Sequence, residues 1–132
     1  MNRLIAIYLT TCTLLLTSSC RQEEPESQEL ILVNTYCDLP DLTIEVRNKK
    51  GTLTYNDPNQ VLTQHLQGYF IVDHEVSEMG NLPLKICNFP VEKFPQLEDG
   101  ESLDVIFDGR VVRLPDHINA AATTLELSAI RH

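Results

Sequence analysis

Apolar and polar positions alternate along most of the chain beyond residue 30, with turn residues between the alternating runs. Leu30 to Tyr36 is a short apolar run, closed by a turn at Cys37, Asp38, Leu39 and Pro40. From Leu42 to Asn48 the chain places Leu42, Ile44 and Val46 on one face and Thr43, Glu45 and Arg47 on the other. That period of two is the pattern of a half-buried strand. Lys49, Lys50 and Gly51 predict a turn or bulge, after which Leu53 and Tyr55 resume the alternation. Asn56, Asp57, Pro58 and Asn59 predict a turn, because their side chains bond their own backbone and proline fixes φ.

Further on, Leu66 to Val72 predicts a strand with a bulge at Gly68, and Leu82 to Cys87 predicts a strand that Pro83 suggests begins at an edge. Asn88 is placed to cap a short helix, with Pro90 in its first turn and Pro95 at its end. Phe89, Val91 and Phe94 then plug one end of a barrel. Glu98 to Glu101 is a turn. Leu103 to Leu114 is a long strand, bent or folded into a hairpin at Asp108-Gly109. Thr123 to Ile130 is a closing strand with Leu125, Leu127 and Ala129 inward. The whole is all-β: five to six strands with one short helix between the third and fourth main strands. That order predicts a small OB-like barrel, with a two-sheet β-sandwich as the alternative.

The segment before this domain changes the picture. Leu4 to Leu16 is apolar apart from threonines and Cys12, follows one positive charge at Arg3, and is succeeded by Thr17, Ser18, Ser19 and Cys20. The stretch is shorter than the roughly 20 residues that span a bilayer and suits a secretory signal. Leu16 to Cys20 resembles the bacterial lipobox, in which the cysteine is acylated and becomes the new N-terminus. The resemblance implies a diacylglyceryl group on Cys20, and two acyl chains give stable anchoring. It departs from the usual pattern in having Thr17 three places before the cysteine and leucine one step earlier.

Residues 1–19 are thus expected as a lipoprotein signal peptide, 20–29 as the acylated cysteine with an acidic tether, and 30–132 as one β domain. The tether, Arg21 to Glu29, has too few apolar side chains to fold alone. It also resembles the charged segment of surface-exposed lipoproteins of Bacteroidota-type bacteria. That resemblance implies a place in the cell envelope, at the outer membrane, with the domain facing outward.

The formal charge is −9, with 19 acidic residues against 10 basic ones. Every acidic residue follows Cys20 while Arg3 precedes it, so the exported part is more acidic still. This charge disfavours nucleic acid and a peripheral grip on anionic lipid. The membrane contact expected is the acyl anchor. Of the four cysteines, Cys37 and Cys87 remain in the domain. An exported chain permits a disulfide between them. Two free thiols are the alternative.

From Gly51 onward the chain resembles small uncharacterised Bacteroidota lipoproteins. The resemblance is carried by Gly51-Thr52-Leu53, Tyr69-Phe70-Ile71, Cys87-Asn88-Phe89-Pro90 and Val105-Ile106-Phe107-Asp108-Gly109. It implies a lipid-anchored OB-like β-barrel and brings no catalytic residues.

Chemistry-bearing clusters are few. Asp73, His74 and Glu75 form the densest group of metal ligands or acid–base residues. On a strand, neighbours point to opposite faces, so the three converge only across a turn. His65, His117 and His132 stand alone and are expected at the surface. Glu98, Asp99 and Glu101 make an acidic turn able to attract a cation. Tyr55 and Tyr69 are the best-placed aromatics for a sugar platform, with core packing the plainer expectation. No nucleophile elbow or phosphate-cradling glycine loop occurs.

The function expected is a lipid-anchored envelope binding or accessory module without catalysis or cofactor. It would present the loops Asn56–Gln64 and Asp73–Asn81 to a protein or glycan. The alternative is a small metal-dependent hydrolase built on Asp73, His74 and Glu75.

Overall fold

A computed structural model describes residues 28–60, 66–74, 82–116 and 118–132. The expected signal, Cys20 and the body of the expected tether lie outside these residues. So do most of the two expected contact loops. Six strands follow in order: β1 (Leu30–Leu32), β2 (Thr43–Asn56), β3 (Gly68–Asp73), β4 (Leu84–Ile86), β5 (Ser102–Val112) and β6 (Thr123–Arg131). One 3-10 turn, Val91–Lys93, sits between β4 and β5.

The strands close on themselves. β2 pairs with β3, β3 with β4, β4 with β6, β6 with β5 and β5 with β2. Only the β4–β6 contact is parallel; the others are antiparallel. This is a closed five-stranded mixed barrel in OB-like order, with β1 added along β6. The barrel, and not the sandwich, is the architecture. Closure leaves few free strand edges.

The interior is filled by the alternating residues the sequence marks. Leu53, Ile71, Val105, Phe107, Val111, Leu125, Leu127 and Ile130 are almost wholly buried and form one cluster. Two bulges keep that set facing inward. In β2, Arg47 and Asn48 together oppose Asp108, because Val46 pairs with Gly109 and Lys49 with Phe107. The inward positions therefore switch from Ile44 and Val46 to Gly51 and Leu53. Asn48 takes the left-handed conformation this requires, φ 52°, which asparagine tolerates better than most residues. The Asp108 carboxylate accepts from the Asn48 amide and braces the bulge. The bulge thus falls at Arg47–Asn48, two residues before the expected site.

In β6, Gly109 pairs with Leu127 while Asp108 pairs with Ala129, leaving Ser128 as the extra residue. Ile130 then faces inward opposite Phe107, and Ala129, still buried, shares the other face with its partner Leu32 on β1. Ala129 is buried as expected but lies outside the central cluster, where Ile130 takes its place. β5 also runs unbroken through Asp108-Gly109, with no hairpin there. Gly109 is needed for close approach: a Cβ on it would collide with the Glu126 carbonyl.

Other local expectations shift for equally physical reasons. Leu42 lies outside β2 and is exposed. Gly68 opens β3 at φ 90° and does not bulge it. The short helix is a single 3-10 turn with Pro90 at its N-terminus and no side-chain cap. Asn88 is used elsewhere, as described below. Phe94 plugs the barrel end, with Phe89 half-buried beside it, but Val91 points to solvent.

Candidate functional site

The Cys37–Cys87 disulfide forms. It joins the segment after β1 to the residue after β4, across 50 positions of sequence. β4 and β1 lie on the same side of β6, one beside its first half and one beside its second. Between them is a gap, and the chain fills it one polar group at a time. The Cys87 amide donates to the Leu125 carbonyl at 3.0 Å. The buried Asn88 side chain then behaves as a peptide unit. Its Oδ1 accepts from the Leu127 amide at 2.8 Å, and its Nδ2 donates to the Leu127 carbonyl at 2.8 Å and the Thr35 carbonyl at 2.7 Å. The Val33 amide donates to the Ser128 carbonyl at 3.0 Å.

Glu126 fastens the outer side of the same gap. It pairs with Arg110 across the β5–β6 ladder, and its side chain is almost wholly buried. One oxygen accepts from the Cys37 amide at 2.7 Å; the other accepts from the Arg110 guanidinium at 2.7 and 3.0 Å. Burial pushes this carboxyl toward protonation, but the Cys37 amide and Arg110 together outweigh it and hold it below the ordinary carboxylate value. No sequence motif marks Glu126, and none gives Asn88 this role. Asn88 reads locally as a helix cap, and Glu126 as an outward position between Leu125 and Leu127.

Beside this clasp lies a shallow groove of ≈ 400 Å³ between β1 and the 3-10 turn. Leu32, Val33 and Thr35 form one wall and Phe89, Pro90 and Val91 the other. Beneath it, rings stack along the barrel end. Tyr55 meets Tyr69 at 4.7 Å, Tyr69 lies flat on Phe89 at 3.8 Å, and Phe89 meets Phe94 edge-on at 5.1 Å. Phe94 in turn meets His132 at 4.7 Å, so His132 is half-buried in the stack and not isolated. Burial pushes the Tyr69 hydroxyl up, with Tyr55 adding to the effect. Tyr55 and Tyr69 give their faces to packing.

Of the Asp73, His74 and Glu75 cluster, the two described residues, Asp73 and His74, face opposite ways. Asp73 pairs with Gly51, an inward-facing position, and His74 continues the outward row of Val72. Glu75 lies outside the described residues, as do His65 and His117. His74 Nε2 instead sits 2.7 Å from Thr52 Oγ1 and 3.9 Å from Asp104 Oδ1. Thr52 donates its one proton to Asp104 at 3.3 Å. Thr52, His74 and Asp104 thus meet on the outer face of β2, β3 and β5. Among the described residues no three His, Cys, Asp or Glu side chains group as a metal site.

The acidic turn has internal partners. Asp99 accepts from the Asp57 amide and Glu101 from the Glu98 amide. Among the described residues no helix is long and apolar enough to cross a membrane. Comparison with family models, curated proteins and solved structures gives no match.

Proposed function

We propose that the protein is a lipid-anchored module of the bacterial outer membrane, a small barrel that binds a protein or glycan partner and has no catalytic role. The observation that carries this reading is the position of Cys20, directly after small residues that end an apolar, non-spanning stretch. The build of the domain supports it. The chain enters the barrel at β1, three residues long, and is pinned at once by Asn88, Glu126 and the disulfide. A domain fastened firmly at the end that meets its tether is suited to hold a surface in place. The acidic balance is expected to keep it off anionic lipid and nucleic acid.

The test is fractionation of bacterial cells expressing the chain with Cys20 intact or as Cys20→Ser. The native protein is expected in the membrane fraction and the variant in the soluble one. Equal partition of both would refute the anchor. Pull-down from intact cells, comparing the anchored and Cys20→Ser forms, then identifies the partner.

A further inference from the structure

We propose that the face carrying Leu30, Leu32 and Val91 rests on the lipid surface to which Cys20 is joined. This depends on the anchored reading above and adds an orientation to it. Leu30 is 53%, Leu32 58% and Val91 61% exposed. Leu30 and Leu32 share the outer face of β1, because Ile31 between them faces inward against Ile130. Val91 reaches the same place from the 3-10 turn, since it lines the groove together with Leu32. One exposed aliphatic side chain is ordinary. Two at one groove, Leu32 and Val91, with Leu30 beside Leu32 on the same face of β1, make an apolar patch at the point where the chain enters the domain.

The anchor says what covers them. Whatever its conformation, the stretch from Cys20 to Leu30 reaches at most about 35 Å. A relaxed chain of that length spans roughly half as much. A domain of this size has a radius of gyration of about 13 Å. The entry face is therefore held within about one domain diameter of the bilayer. Charge selects the kind of contact. An acidic domain gains nothing from anionic headgroups, so the grip is apolar, with aliphatic side chains entering the headgroup boundary of neutral lipid.

The chain contains no tryptophan, so Val91→Trp introduces a single fluorophore at an exposed site. Val72→Trp does the same on the outer face of β3, away from the groove. The acylated proteins are purified from bacterial membranes and reconstituted in phosphatidylcholine vesicles with brominated acyl chains. The expected result is at least twofold quenching and a blue shift for Val91→Trp, and neither for Val72→Trp. Adding Leu32→Glu to Val91→Trp removes the quenching while the protein still floats with the vesicles. Flotation without quenching at either site overturns the docking and leaves the anchor standing. Failure to float overturns both. A dimer in sedimentation that Leu32→Glu abolishes, with no quenching, gives the face to a second copy and overturns the proposal.

Discussion

The Asn88 side chain bonds both the amide and the carbonyl of Leu127, at 2.8 Å each, as a neighbouring strand would. It stands where neither β4 nor β1 reaches β6. Three backbone groups, two on Leu127 and one on Thr35, depend on one amide. An unmet buried polar group costs about 1–3 kcal/mol.

Replacing Asn88 with alanine is therefore expected to destabilise the barrel by about 2–4 kcal/mol. Asn88→Asp keeps the acceptor but loses the donors, and is expected to fall short of wild type as well. Urea unfolding checks both. Wild-type stability for Asn88→Ala would contradict the role given to the amide.

Glu126 makes the domain sensitive to acid. Its carboxyl is held below the ordinary value of 4.5 by the Cys37 amide and Arg110, against burial. A group depressed on folding contributes stability above its unfolded pKa and loses it as pH falls through the lower, folded one. Stability is expected to decline below about pH 4.5, and the decline should be shallower in Glu126→Gln. Unfolding midpoints measured from neutral to acid pH, with both proteins, test this.

The disulfide closes a loop of 50 positions. On the chain-entropy account that constraint is worth about 4 kcal/mol. The double variant Cys37→Ala with Cys87→Ala is expected to lose stability on that scale while Asn88 and Glu126 still hold the segment. Denaturant unfolding of the oxidised protein and the double variant measures the difference.

Gly109 is required by packing and not by a turn. A Cβ there strikes the Glu126 carbonyl, which is backbone and cannot swing aside. Gly109→Ala is expected to cost about 2–3 kcal/mol, the scale of core overpacking. A thermal scan showing an unchanged Tm would contradict the close approach.

Much of the barrel is legible in the sequence because period two runs through β5 and on either side of the single bulges in β2 and β6, and because Leu53, Leu125 and Leu127 keep their faces. What is not legible comes from single-residue slips. An extra residue at Ser128 turns Ala129 to the other face and Ile130 in, since side chains alternate strictly along a strand. Asp108-Gly109 matches a hairpin signal in composition, yet serves a bulge brace and a close contact. The roles of Asn88 and Glu126 are hidden for another reason. Their importance lies in partners 39 and 89 positions away, which no local pattern encodes. The pairing of Cys37 with Cys87 was open to sequence because only two cysteines remain in the domain. The groove beside β1 was not, because it arises where two distant segments meet.

The central claim is that Cys20 carries lipid, and intact-mass and peptide mass spectrometry of the protein extracted from bacterial membranes tests it most directly. The account predicts a chain that begins at Cys20, with the mass of a diacylglyceryl group on its sulfur. A chain that begins elsewhere, free of fatty acid and recovered from the soluble fraction, would contradict it.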